Sequence, residues 1–486
     1  MIIPYGEYRP DVSDYQGAAT RNILNVVPRG DGYGPFPAFS ALTAALPGVC
    51  RGGFYALDDD GTVAIFAGTG TRLYKLDNSD FTWDDVSKGG NAYSAVASTA
   101  QWRFAQFGTV VIAVQANVAP QAFTLGSSSA FDDLAGSPPQ AAYIDVVGRF
   151  LVLSGLTSNP YRVHWSGLNA ITTWTSGTNS SDFQDFPDGG IVRGVAGGEN
   201  GLVFQDQAIR RMTYAPGSAV IFQIERISQD RGVYGPYSIV RAGERVFFFS
   251  AHGFHMIDPG GLPVGIGREY VDRTFFADLN KSELQLFMGA ADPRTSRVWW
   301  AYSSASGVSG LYDKLLGYDY SLKRWYPVEM QGQHLMGISQ PGVTLESLDD
   351  ISASLDALTA SLDSYASSLI PEISQFGNDN ALGFFRGDNL EATLETSEQA
   401  MAGSRVRVRG FRPLCDAATV YGSCSGRETL SATPTYSNEI IISERTGNID
   451  LNTSTRYSRL KSRIPAGTNW TFAAGVEPDI VLDGAN

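Results

Sequence analysis

The stretch Val246-Phe247-Phe248-Phe249 is an apolar run of strand length that is entered through a turn at Gly243. A second short run, Phe254-His255-Met256-Ile257, follows it after a few residues. Short runs that are rich in aromatic and β-branched residues and bounded by turn residues predict buried β-strands. Together the two runs predict a β-hairpin.

The same hairpin pattern recurs along the chain about every 45 residues. Each recurrence is an apolar run that follows a Gly or Asp turn, and the five others lie at residues 63–66, 110–114, 150–153, 202–204 and 298–302. Units of about 40 to 50 residues with three or four short strands are typical of β-propeller blades. We predict six blades over residues 51–340. Counts of five or seven stay open because the outer strands are harder to recognise, and a β-solenoid is the competing architecture.

The regions that flank this repeat have a different character. Residues 1–50 lack the period, and Pro, Gly and aromatic residues crowd positions 33–39, which predicts an extended N-terminal strap lying over another surface. Strand patterns return over residues 384–486 and predict a second, C-terminal β domain, most simply a β-sandwich. The fold class that follows is all-β.

An acidic, Ser-, Leu- and Asp-rich insertion is predicted at residues 341–383. Seven acidic residues and no Lys or Arg lie between 344 and 383, so this segment supplies half of the net charge of −14. Leucines at heptad spacing favour a short amphipathic helix over 347–369, whereas the Ser and Asp content favours an irregular loop. Both alternatives stay open.

Composition and charge exclude several classes of protein. A chain of 486 residues with 12% aromatic residues can bury enough apolar surface to fold. The net charge of −14 argues against broad wrapping of nucleic acid or of an anionic membrane, although it allows DNA to slide through a channel. We expect neither a signal peptide nor a membrane anchor. The three cysteines, Cys50, Cys415 and Cys424, suit reduced thiols, and pairing of Cys415 with Cys424 is left open.

No motif predicts catalysis. His252 and His255 have the wrong spacing for a metal pair on a helix. On a strand, their side chains would point to opposite faces of the sheet. Asp182, Asp185 and Asp188 do not follow the spacing of a calcium loop and are interpreted as a polar turn between blades. Nucleotide-binding glycine motifs and a G-x-S-x-G elbow are absent from the sequence. The sequence therefore predicts a protein that is not an enzyme and has no metal and no cofactor.

Two strands carry basic residues at every second position, which places each triplet on one face of its strand. The interpretation is either a solvated face or a docking face for an acidic partner. The six residues are Arg405, Arg407 and Arg409 on one strand and Arg459, Lys461 and Arg463 on the other.

Several stretches resemble the tail proteins of short-tailed bacteriophages and related prophages, the group that contains packaged-DNA stabilisation proteins and tail nozzles. The similarity spans most of the chain and is carried by strands and turns rather than by chemical motifs. The stretches include residues 1–11 (MIIPYGEYRPD), 66–76 (FAGTGTRLYKL), 102–108 (WRFAQFG), 183–190 (FQDFPDGG), 361–364 (SLDS) and 390–396 (LEATLET).

This resemblance implies a homo-hexameric ring, a nozzle or hub below the head-to-tail adaptor, that retains packaged DNA and conducts it at ejection. The implied partners are the adaptor, tail fibre, tailspike or tail needle proteins, and double-stranded DNA in non-specific transit. The protein would be made in the host bacterial cytoplasm and end in the virion tail. Asp349, Asp356 and Asp363 would then face the channel or a subunit interface. The alternative is a β-propeller carbohydrate-binding protein or glycoside hydrolase, which a cluster of carboxylates and exposed Trp at one propeller face would favour.

Overall fold

A computed structural model describes residues 2–13, 15, 17–218, 220–338, 372–400 and 404–483. Within them the chain is almost entirely β, with one α-helix, α1 (Asp272–Asp278), and short 3-10 turns at Lys88–Gly90, Pro236–Ser238 and Leu284–Leu286. The described strands form seven four-stranded sheets, two six-stranded sheets and a two-stranded parallel pair. The predicted all-β propeller fold is confirmed.

Six strands precede the first blade: three belong to the second domain, one belongs to the propeller, and two form a separate parallel pair. They are β1 (Ile3–Pro4), β2 (Glu7–Tyr8), β3 (Ala19–Thr20), β4 (Val26–Arg29), β5 (Gly32–Pro35) and β6 (Pro37–Ala45).

Blades 1 to 6 are each built from four consecutive antiparallel strands. Blade 1 contains β7 (Gly53–Leu57), β8 (Val63–Gly68), β9 (Leu73–Leu76) and β10 (Trp83–Asp85); blade 2 contains β11 (Arg103–Phe107), β12 (Val110–Gln115), β13 (Val118–Thr124) and β14 (Asp132–Asp133); blade 3 contains β15 (Ala141–Val147), β16 (Phe150–Leu156), β17 (Arg162–Trp165) and β18 (Asp182–Asp185). Blade 4 contains β19 (Val192–Ala196), β20 (Gly201–Gln205), β21 (Ile209–Tyr214) and β22 (Phe222–Ser228); blade 5 contains β23 (Val240–Ala242), β24 (Arg245–Ser250), β25 (Gly253–Ile257) and β26 (Val264–Gly265); blade 6 contains β27 (Met288–Asp292), β28 (Arg297–Tyr302), β29 (Tyr312–Asp319) and β30 (Arg324–Gly332).

A seventh blade corrects the predicted count of six. Its strands are β31 (His334–Ile338), β32 (Glu372–Phe376), β33 (Ala381–Asn389) and, at the outer edge, β6 from the N-terminal region. In this pairing Phe385 lies opposite Phe39 and Phe384 opposite Ser40. The mid-forties period does not show this blade because 33 residues separate β31 from β32 and the fourth strand comes from the other end of the chain.

The blades surround a central axis. The first strands β7, β11, β15 and β19 contact one another in turn, as do β23, β27, β31 and β7. Buried side chains fill the spaces between neighbouring sheets; between blades 5 and 6 these include Phe249, Phe254, Trp300 and Trp325. Since one small sheet cannot bury both of its faces alone, this stacking is what stabilises each blade.

The second domain is a sandwich of two sheets. Its strands are β34 (Ala392–Glu395), β35 (Gln399–Ala400), β36 (Val406–Cys415), β37 (Tyr421–Arg427), β38 (Thr435–Tyr436), β39 (Ile440–Ile441), β40 (Ile449–Thr455), β41 (Tyr457–Ile464) and β42 (Ala473–Leu482). One sheet has the order β4-β5-β42-β36-β40 with β1 beside β42, and the other has the order β34-β41-β37-β38 with β35 beside β41 and β39 beside β37. Val408 and Phe411 of the first sheet share a buried core with Cys424 and Leu460 of the second.

The N-terminal residues 1–50 are therefore not a strap laid over a finished surface. Ile3, Val26 and Tyr33 belong to the sandwich core, and β6 completes the propeller. Between these positions the Asn25 side chain joins the two domains: its amide oxygen accepts from the Glu329 backbone N–H at 2.8 Å and its amide nitrogen donates to the Glu391 carbonyl at 2.9 Å. One continuous segment thus ties both domains together.

Closure of the propeller by β6 should be sensitive to the size of the side chain at position 383. A Cβ atom at Gly383 would overlap the Ser40 carbonyl oxygen and lie 2.7 Å from the Ala41 Cα atom. We expect Gly383→Ala to cost about 1–3 kcal/mol and to increase hydrogen exchange of the β6 amides. Gly70→Ala is the matched control, since no atom lies within 4 Å of its added methyl group. Equal protection of β6 in both variants would contradict this account of closure.

Candidate functional site

The first basic triplet lies on the outer face of β36. Arg405 forms an ion pair with Glu428 at 3.0 Å, and Arg409 forms one with Asp479 at 2.8 Å. The Arg407 Nε atom donates to the Asn452 side-chain oxygen at 2.8 Å. These are surface contacts that solvent screens, so this triplet stays available as a docking face and that role stays a prediction.

The second basic triplet lies on the other sheet and is used within the chain. Lys461 and Arg463 of β41 both pair with Glu439, at 3.9 Å and 2.7 Å. Arg459 is only 9% exposed and pairs with Glu398 at 3.4 Å. Because the side chains between them on β36 and β41 face the core, the two triplets point outward from opposite sides of the sandwich. The two triplets therefore do not form one surface, and the docking role of each stays a prediction.

The acidic residues Asp349, Asp356 and Asp363 lie outside the described residues, within the part of the chain between β31 and β32. Their predicted channel or interface position stays a prediction, as does the choice between helix and loop. The predicted insertion at residues 341–383 was drawn too long, since β32 and the first three residues of β33 lie within those bounds and belong to blade 7.

The carboxylates and histidines singled out in the sequence have structural partners. Asp185 accepts two hydrogen bonds from Arg162, at 2.6 and 2.8 Å, and Asp188 pairs with Arg210 at 2.7 Å. His255 is buried against Phe248, and burial lowers its pKa. Within the described part of the chain, no three His, Cys, Asp or Glu side chains are grouped closely enough to hold a metal ion.

The three thiols are unpaired in the structure, with Cys50 and Cys424 buried and Cys415 partly buried. Burial raises the pKa of Cys50 and of Cys424 to about 12. None of the described helices is both long enough and apolar enough to cross a membrane.

A cavity of about 750 Å³ lies between blade 6, α1 and the sandwich. Asp278 at its wall accepts from the Lys314 ammonium at 2.7 Å and from the Tyr302 hydroxyl at 3.0 Å. On the sandwich side, the Asn22 amide donates to Glu395 at 2.7 Å. Since these groups are one another's partners, the cavity is a polar seam between the domains.

A second cavity, of about 440 Å³, lies at the propeller axis. Its walls are the first strands of blades 1, 2, 5, 6 and 7, that is β7, β11, β23, β27 and β31. Arg103 at the start of β11, Arg241 in β23 and His334 at the start of β31 are its basic side chains. Strands that lie far apart in the sequence thus bring these three residues to one site.

The two arginines of this axial cavity form no ion pair with any described residue. The Arg103 guanidinium lies 5.7 Å from the centroid of the Tyr237 ring and donates no hydrogen bond within the described chain. Arg241 donates from Nε to the Gly243 carbonyl at 2.8 Å. Asp145 lies near both, but its oxygens accept from the backbone N–H groups of Val146 and Gly197, at 2.8 and 2.7 Å. Burial raises the Asp145 pKa, although the positive charges of Arg103 and Arg241 lower it.

One buried polar atom without a partner belongs to a residue that lines this cavity. His334 is 6% exposed, and its Nδ1 atom has no hydrogen-bond partner within the described chain. Burial, assisted by the Arg103 charge, lowers the His334 pKa to about 3, so the ring is neutral. Unsatisfied buried groups are rare in native structures, so this atom calls for an explanation.

The axial site could not be read from the sequence. Arg103 and His334 each stand alone in an otherwise ordinary strand, and 230 positions separate them. The sequence signal for this site was weak. It consisted of a basic residue, Arg103, at the first position of the innermost strand of blade 2, among mostly apolar neighbours.

The chain is similar to several solved structures at low sequence identity. No protein family model and no curated protein matches the chain. Among solved structures it is similar to the extracellular domain of the one-component system BT4673 from B. thetaiotaomicron, with 12% identity, 78% of this chain and 44% of that chain covered, and a TM-score of 0.41. It is also similar to YCF48 bound to D1 peptide, with 14% identity, 60% of this chain and 87% of that chain covered, and a TM-score of 0.34.

A third similar structure is a quinonprotein alcohol dehydrogenase-like protein, BT1487, from Bacteroides thetaiotaomicron. The identity is 9%, the coverage is 57% of this chain and 66% of that chain, and the TM-score is 0.33. At these identities the likeness concerns the propeller architecture and carries nothing about activity. The chain spans less than half the length of the BT4673 domain it matches.

Proposed function

We propose that this chain is a structural subunit of a bacteriophage tail, a nozzle or hub that assembles into a hexameric ring below the head-to-tail adaptor. The ring would retain packaged DNA and conduct it during ejection. Resemblance of the sequence to short-tailed phage tail proteins is the source of the family assignment. The supporting structural observation is an apolar strand edge on the sandwich.

That edge is formed by β39, which pairs only with β37 among the described strands. Its two residues, Ile440 and Ile441, are 40% and 52% exposed although they belong to a sheet. An exposed apolar edge strand is a ready template for pairing with another chain. A second copy of the chain is the occupant that the ring requires.

The connection between the two domains also suits a ring subunit. A segment that contributes strands to both domains, fixed at Asn25, transmits force from propeller to sandwich without a loose linker. The net charge of −14 would keep DNA from adhering during transit. Tail fibre, tailspike or needle proteins remain the proposed partners at the ring's other contacts.

The test uses phage particles assembled with variant protein, examined by electron microscopy and by infectivity. Ile440→Asp combined with Ile441→Asp should abolish ring incorporation, because charge at the edge opposes strand pairing. Val308→Asp is the control, since Val308 is 59% exposed on a propeller loop. Normal, infectious particles in the absence of the protein would refute the proposal. The sequence-based alternative, a carbohydrate-binding protein or glycoside hydrolase, would be supported instead if the purified chain bound or cleaved glycans.

A further inference from the structure

We propose that the axial cavity of the propeller binds a small oxyanion, a phosphate or a carboxylate, through Arg103 together with Arg241 and His334. This inference does not depend on the tail function. It rests on the charges, the unpartnered His334 atom and the volume of the cavity.

The basic side chains of the cavity suit an anion. Arg103 and Arg241 line it, and neither forms an ion pair within the described chain. The nearby carboxylates pair with neither arginine: Asp145 accepts from two backbone N–H groups, and Asp292 accepts from the Arg294 backbone N–H at 3.0 Å and the Thr295 hydroxyl at 2.6 Å. A guanidinium matches the planar or tetrahedral oxygens of a carboxylate or phosphate and binds them through paired N–H groups.

A buried, unpartnered side chain lines the same cavity. His334 lines the cavity near Arg103 and is only 6% exposed, and its buried Nδ1 atom has no hydrogen-bond partner within the described chain. A neutral imidazole can donate one N–H to an oxyanion without adding charge.

The cavity also has the size of a ligand site. Its volume of about 440 Å³ lies within the range of about 300–1,000 Å³ that is usual for small-molecule pockets. The close approach of blades 7 and 1 shapes its wall, since a Cβ atom at Gly53 would lie 3.3 Å from the His334 ring. Rigid strands from five blades therefore position the three basic side chains.

Isothermal titration calorimetry of the full chain tests the proposal, with inorganic phosphate in one arm and citrate in the other at matched ionic strength. We expect saturable binding at millimolar concentration or tighter in at least one arm, and the tighter arm identifies the ligand chemistry. Arg103→Gln should weaken binding at least tenfold and Arg241→Gln by a smaller factor. Arg412→Gln, on the sandwich surface and outside both basic triplets, should leave binding unchanged.

A second measurement does not depend on whether the Arg103 variant folds. Because the chain has four histidines, a nuclear magnetic resonance spectrum of the protein labelled with nitrogen-15 histidine contains few ring signals, and they can be told apart. Addition of the bound anion should shift the His334 ring signals and leave those of His252 in place. Absence of saturable heat in both arms, or shifts confined to other histidines, would overturn the proposal and leave ordered water as the occupant.

Discussion

Replacing Glu398 with glutamine should lower the free energy of unfolding by about 3–5 kcal/mol, because it removes the negative charge from a buried ion pair. The Glu398 carboxylate is 1% exposed and lies between two arginines that are 12% and 9% exposed, Arg427 and Arg459. Arg427 donates to it through two nitrogens, one of them Nε at 2.7 Å. The substitution keeps the shape of the side chain, removes the charge and replaces one acceptor oxygen by an NH2 donor. Denaturant unfolding measures the loss.

Asp479→Asn is the control for this experiment. It removes the carboxylate that pairs with Arg409, but both side chains are about half exposed, so the expected loss is at most about 1 kcal/mol. Hydrogen exchange should report the Glu398→Gln effect on the β41 amides, which pair with β37. Equal losses in the two variants would show that burial of the Glu398 cluster has no energetic consequence.

Replacing Trp300 with alanine should destabilise the propeller by about 3–5 kcal/mol, the cost of a large cavity in a packed core. Trp300 is fully buried, its ring centroid lies 4.7 Å from that of Phe254 and 5.8 Å from that of Trp325, and its Nε1 atom donates to the Ser238 carbonyl at 3.0 Å. Its loss therefore weakens the contact between blades 5 and 6. Differential scanning calorimetry should show a lower Tm.

Trp83→Ala is the matched control within the propeller. Trp83 lies on β10, the outer strand of blade 1, where it is partly exposed and bonds to the Ala44 carbonyl at 3.0 Å. The expected loss is smaller because less apolar surface returns to water. A Trp83 variant as unstable as the Trp300 variant would mean that the outer strands, and not the contacts between blades, limit propeller stability.

The propeller's local elements were determined by the sequence itself. The run Val246–Phe249 falls within β24 and the run 298–302 within β28, and each pairs with the next strand as predicted. A strand of alternating or continuous apolar residues followed by a tight turn needs no distant information to form a hairpin, because turn geometry sets the register. Of the predicted polar turn between blades, only Asp188 lies in the connection between blades 3 and 4, because Asp182 and Asp185 belong to β18, the outer strand of blade 3. The arginine partners of Asp185 and Asp188 could not be read from the sequence.

Only the tertiary structure decided how the propeller closes and which charged side chains pair with one another. The pairing of β6 with β33 joins residues more than 300 positions apart, and no local pattern encodes such a partner. The period-of-two pattern predicted the strand face of Arg459, but the burial of that face depends on Glu398, which lies just before β35 and pairs with Arg459. The axial cavity exists for the same reason. Side-chain periodicity is a property of one strand, whereas burial and charge pairing are set by which strands pack together.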